Sequence, residues 1–169
     1  LRLGHGLDPK TDIGPVINAR QLADVEARVA EAVADGARVL TGGKRSRRFP
    51  NGFFFEPTIL VDVRPEMRIV ANETFGPTMP IMKVRGIEQA IAMANAQEYG
   101  LGANIYTNNM EWAMTAMERI TAGTFWINDS LTDNEAGPFG GMKKTGHSRE
   151  LGREGLDEFR ETKHVHLDW

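Results

Sequence analysis

The regular alternation between residues 79 and 127 constrains the fold of this chain more than any other feature. Residues 79–84 read as a strand, and Ile87, Ala90, Ile91 and Ala94 then recur as the apolar stripe of a helix. Tyr99-Gly100-Leu101-Gly102 turns into a second strand at residues 103–106. Trp112, Ala113, Ala116, Met117 and Ile120 mark a second helix that Gly123 ends, and residues 124–127 read as a third strand. Strands joined by single helices connect through right-handed crossovers into a parallel sheet. The predicted class is therefore α/β, a parallel sheet with flanking helices.

The flanking segments are less regular. Residues 1–17 carry turn chemistry (Asp8-Pro9, Asp12, Gly14-Pro15). A helix begins near Asn18, a good N-cap, with Leu22, Val25, Val29 and Val33 on its buried face and Gly36 just past its end. Residues 37–41 read as a short strand stopped by Gly42-Gly43, and the basic run Lys44, Arg45, Arg47, Arg48 reads as a solvated loop. Phe53-Phe54-Phe55 and residues 58–63 are extended, and Pro57 argues against a central, fully paired strand there. Residues 128–146 form a long polar, glycine-rich loop at the carboxyl end of the third strand, where parallel sheets place their ligands. Residues 149–160 are expected to be helical, with Leu151, Leu156 and Phe159 on one face. Residues 161–168 alternate like a strand that has no antiparallel partner earlier in the chain.

Composition narrows the chemistry. A net charge of −3 gives no electrostatic footprint for nucleic acid, and no apolar run approaches membrane-spanning length. The absence of cysteine excludes disulfides, thiolate metal sites and thiol catalysis within these 169 residues, and it fits a cytoplasmic protein. The chain starts at Leu1 in a polar, loop-like run, which reads as a cut in a longer protein; a processed native start is the alternative.

Individual motifs are weak alone. In Glu73-Thr74-Phe75-Gly76-Pro77, the glycine allows a turn and the proline fixes the exit. A carboxylate there can accept hydrogen bonds from two ribose hydroxyls, and the aromatic ring can pack on a flat ligand. The run from Gly141 to Ser148 nearly spells a phosphate-binding loop, but His147 stands where the lysine belongs. His164 and His166 share one face yet lack a third metal ligand nearby, so no metal site is predicted. Asp129, Asp133 and Glu135 cluster in the long loop and could face a cationic substrate or simply solvent.

Five stretches taken together resemble the aldehyde dehydrogenase superfamily over essentially the whole chain. They are Thr11-Asp12-Ile13-Gly14-Pro15, Gly52 through Thr58, Glu73-Thr74-Phe75-Gly76-Pro77, Tyr99-Gly100-Leu101, and Pro138-Phe139-Gly140-Gly141 through Ser148-Arg149-Glu150. The resemblance implies the C-terminal part of such an enzyme. Residues 1–150 would be a partial catalytic α/β domain, and residues 151–169 a helix followed by an oligomerisation strand. It implies an NAD or NADP cofactor, an aldehyde substrate oxidised to a carboxylate through a thioester on a cysteine outside this chain, and a homo-dimeric or homo-tetrameric parent. It assigns no catalytic residue here. It implies cofactor contacts for Glu73, Phe75 and Gln21, and a substrate-pocket role for Phe139. The loop carrying Asp129 and Asp133 would contribute to substrate choice, its acidity pointing to an amino- or trimethylammonio-aldehyde such as betaine aldehyde. The isolated chain is expected to be inactive. Two rivals stand beside this reading: a natural truncated module that only associates with partners, and a phosphate-binding protein using residues 141–148.

Overall fold

The computed structural model describes every residue except Leu131, which lies within the expected long loop. The chain forms two compact units, Leu1–Lys83 and Val84–Trp169.

The first unit is organised by α1 (Ala19–Ala34), β1 (Arg38–Thr41), β2 (Thr58–Val61), α2 (Arg68–Ala71) and β3 (Thr78–Pro80). Asn18 caps α1 as expected, its side-chain oxygen accepting from Gln21 N at 2.9 Å. Gly36 follows at φ +101°, a conformation that side chains with a Cβ resist. Leu22, Val25, Val29 and Ala32 are buried and pack with Phe55, Leu60 and Met67 in one apolar cluster. Val33, expected on that face, is 47% exposed; Ala32 takes the inward position as the helix closes.

The sheet order is β1-β2-β3, with β1 antiparallel and β3 parallel to β2. The segment after Pro57 is thus the central strand, contrary to expectation. Pro57 lies one residue before the ladder, so its missing N–H costs no strand bond, and Thr58 N donates to Pro77 O at 2.8 Å. The Thr58 hydroxyl is buried but satisfied, donating to Glu56 O at 2.7 Å and accepting from Gly43 N at 2.8 Å. The strand expected over residues 79–84 is shorter. Pro80, which has no N–H, closes it, and Ile81 N adds one last bond to Leu60 O.

The second unit contains α3 (Ile87–Asn95), β4 (Tyr99–Gly100), β5 (Gly102–Ile105), α4 (Met110–Arg119) and β6 (Thr124–Ile127). It continues with β7 (Phe139–Gly140), β8 (Met142–Lys143), β9 (Arg149–Glu150) and α5 (Gly152–Asp157). Of the two predicted crossovers the second is realised: β5 and β6 pair in parallel, Gly102 opposite Thr124 through Ile105 opposite Ile127, with α4 between them, whereas β3, expected in the same sheet, pairs with β2 instead. Asn109 caps α4 through Trp112 N. Arg119 holds α4 to α3 with a two-pronged bond to Glu88 at 2.6 and 2.7 Å. The helix ends at Arg119 rather than near Gly123, because Ile120 has already turned to extended backbone. Of the residues expected to be inward, Ile91, Ala113 and Ala116 are buried, whereas Trp112 and Met117 stay substantially exposed.

In the C-terminal region one expectation fails, and the expected terminal strand is not formed by the chain alone. Residues 149–160 are not one helix: Arg149–Glu150 pairs antiparallel with β7, Leu151 sits at φ 61°, and only Gly152–Asp157 is helical. The supposed apolar face is open, with Leu156 64% and Phe159 91% exposed. Residues 161–168 form no strand among the described residues, and Val165 and Leu167 face solvent. A strand needs a neighbour for its N–H and C=O groups, and this segment has none within its own chain. No described helix is long and apolar enough to cross a membrane.

Candidate functional site

The first unit brings Gln21, Glu73 and Phe75 together. One face of α1 holds the loop at successive turns, since residues three and four apart on a helix are neighbours. Gln21 Nε2 donates to Phe75 O at 2.6 Å. A Cβ added to Gly76 would fall 2.5 Å from Val25 Cγ2, so only glycine lets the backbone lie this close to the helix. Arg28 Nη1 donates to Glu73 O at 2.7 Å and to Thr74 Oγ1 at 3.0 Å. Arg28 Nε lies 2.8 Å from Asp24 Oδ2, one turn earlier.

What this scaffold presents is open. Among the described residues the Glu73 carboxylate takes part in no hydrogen bond or ion pair, and it is exposed. The Phe75 ring is 70% exposed. Beside it lies a shallow depression of about 440 Å³ lined by Val16, Ile17, Gln21, Phe75, Gly76 and Pro77. An unpaired carboxylate can accept from two adjacent hydroxyls, and a neighbouring bare aromatic face can receive a flat ring. Glu73 does not line the depression itself; it lies two residues before Phe75 on the same loop. Gln21 both donates to the loop and lines this depression.

In the second unit, Phe139 is half-buried on β7, held by the ladder to β9. Arg149 Nη1 collects three carbonyls, Gly141 O at 2.8 Å, His147 O at 3.0 Å and Ser148 O at 2.9 Å. Lys143 Nζ donates to Asn95 O and Gln97 O, both at 3.0 Å, covering the C-terminal carbonyls of α3. The run 141–148 therefore turns carbonyl oxygens inward, whereas a phosphate cradle needs N–H groups.

Asp129 and Asp133 are both exposed but not equivalent. Asp129 accepts from Thr132 Oγ1 at 2.6 Å and from Ser130 N at 2.8 Å. The Thr132 hydroxyl, then the Ser130 N–H, hold its carboxyl below the ordinary aspartate range. Asp133 makes no such bond among the described residues.

Sequence reasoning missed Arg28, Arg149 and Asn128. Asn128 sits at φ 57° where β6 ends; its amide donates to Thr107 O at 3.0 Å and its oxygen accepts from Thr107 N at 2.8 Å. The spacing of Gln21, Val25 and Arg28 was a usable signal for the first, since it places them on one helical stripe.

The first unit thus carries an exposed carboxylate and an exposed aromatic ring on one loop pinned to α1. The chain belongs to the aldehyde dehydrogenase family: the family model described as "Aldehyde dehydrogenase family" matches residues 1–165. It is 39% identical to betaine aldehyde dehydrogenase of Bacillus subtilis (strain 168) over 98% of this chain and 34% of that protein. It is 41% identical to mitochondrial succinate-semialdehyde dehydrogenase of Mus musculus over 98% of this chain and 31% of that protein. In structure it matches Staphylococcus aureus betaine aldehyde dehydrogenase, a double mutant solved with NAD⁺, with a TM-score of 0.93 and 37% identity, covering 97% of this chain and 34% of the other. The chain thus spans about a third of the length of these relatives.

Proposed function

We propose that this chain is the C-terminal part of an NAD(P)-dependent aldehyde dehydrogenase that oxidises an aldehyde to a carboxylate. The observation that carries the reading is the unpaired Glu73 carboxylate beside the bare Phe75 ring on a loop fixed to α1. Bound NAD or NADP would supply the hydride acceptor. Glu73 would accept from its ribose hydroxyls, Phe75 would pack beside the nicotinamide end, and Gln21 would lie near the ribose. Relatives include a succinate-semialdehyde dehydrogenase named for NADP⁺ and a structure holding NAD⁺, so both cofactors are in keeping with the family.

Residues 1–150 would belong to the catalytic domain and residues 151–169 to a helix and oligomerisation segment of a dimer or tetramer. Phe139 would line the aldehyde pocket. Asp133, free of the bonds that occupy Asp129, would be the acid more available to a cationic aldehyde. With no cysteine, the chain lacks the thiol that captures the aldehyde in this reading. A cytoplasmic setting suits that composition.

The purified 169-residue chain, mixed with NAD⁺ and an aldehyde, should form no NADH. Turnover by this chain alone would overturn the proposal. A second reading, a natural module that acts only by association, draws on the exposed Val165, Leu167 and Trp169. The parent coding sequence separates the two: an upstream cysteine and glycine-rich strand-turn-helix favour the enzyme, and a start codon at Leu1 favours the module.

A further inference from the structure

We propose that Arg28 is the positioning residue that aims Glu73, acting through the loop backbone rather than by touching a ligand. The inference rests on the reading of Glu73 as a cofactor contact. Arg28 is nearly buried, its side chain only 13% exposed, yet its head serves the loop more than a counter-ion. One terminal nitrogen reaches Glu73 O, Thr74 Oγ1 and, at 3.5 Å, Asn72 O. Its Nε faces Asp24 Oδ2 at 2.8 Å, and Asp24 Oδ1 is in turn 3.3 Å from Arg68 Nη2. The guanidinium is thus paired in charge with Asp24, its buried Nε making no hydrogen bond, while Nη1 alone reaches three consecutive residues.

Fixing the carbonyl of Glu73 fixes the peptide plane on which its side chain is built. Gln21 and Gly76 hold the other end of the loop, so Glu73 is spanned by restraints on both sides. A lysine cannot replace this arrangement, because a single ammonium cannot face Asp24 and the loop at once with fixed geometry. Thr74 contributes the one side-chain acceptor in the clamp.

The test uses the full-length enzyme containing this chain, with Arg28→Met, Arg28→Lys, Thr74→Val and Glu73→Gln. Arg28→Met should raise amide hydrogen exchange at residues 73–76 and weaken NAD⁺ binding by about ten-fold each, with aldehyde capture by the thiol unchanged. Arg28→Lys should recover only part of the loss. Thr74→Val, a near-isosteric change at a half-buried loop position, should show the same pattern at about two-fold. The double variant Arg28→Met/Glu73→Gln should bind NAD⁺ no more weakly than Glu73→Gln alone, since both changes remove one contact. Additive losses, or Arg28→Lys and Thr74→Val both at wild-type affinity and exchange while Glu73→Gln is impaired, would overturn the positioning role and leave the cofactor reading standing. Wild-type NAD⁺ affinity in Glu73→Gln would remove that reading and this inference with it.

Discussion

The loop carrying Glu73 is tied down by side chains of a core helix, whereas the loop that follows β6 is tied down largely by itself. Residues 21 and 28 reach the first loop across more than forty positions of sequence, and both lie on a helix whose opposite contacts are fully buried. In the second loop most bonds are local, Asp129 with Ser130 and Thr132 and Asn134 with Ala136, with Asn128–Thr107 and Gly152 N to Glu135 O as its longer ties. Long-range restraint suits a contact whose geometry must not vary. Local restraint lets a loop change its residues without disturbing the core, which would suit the substrate-selecting role proposed for it.

The sharpest break should come from beneath the anchored loop. Phe55 is 1% exposed in the cluster that also holds Leu22, Val25 and Val29. Phe55→Ala should cost about 3–5 kcal/mol in chemical denaturation. A loss well below 1 kcal/mol would mean that this cluster does not support α1. Next is Gly76→Ala, which sets a methyl group against Val25 and should cost about 1–3 kcal/mol with chemical-shift changes confined to α1 and residues 72–77.

The self-tied loop should respond to acid rather than to core damage. Folding lowers the Asp129 pKa, so its bonds are in full effect above the ordinary aspartate range and are lost as pH falls through the lowered value. Trp126 Nε1 donates to Thr132 O at 2.8 Å, which makes its indole N–H signal a reporter. That signal should move with a midpoint below the ordinary range, and the transition should vanish in Asp129→Asn. A midpoint at or above the ordinary range would contradict the assignment. Smallest of all, removing residues 161–169, all exposed, should change the stability of the chain by less than about 0.5 kcal/mol. A larger drop in the denaturation midpoint would show that the tail is docked.

Periodicity made α1, α4 and the β5–β6 crossover legible, because each buries a face of its own and the repeat records it. It misjudged Pro57, since a proline outside a ladder by one residue looks the same in sequence as one inside it. Residues 161–168 are a different case: alternation signals a strand, but a strand forms only where another backbone meets it, and the partner expected for this one lies outside the chain. Glu73, Phe75 and Gln21 are named by the resemblance alone; in the structure Gln21 is bonded to the loop that carries the other two. Arg28 escaped because a guanidinium that binds carbonyls leaves no charge partner to suggest its role beyond Asp24, which looks like an ordinary surface pair.

If Glu73 is the cofactor's carboxylate, as proposed, losing its charge should slow hydride transfer. Single-turnover kinetics of Glu73→Gln in the full-length enzyme measure this directly, by separating aldehyde capture from hydride transfer. The prediction is hydride transfer slowed by about ten-fold or more, with capture close to wild type. Hydride transfer at the wild-type rate would contradict it.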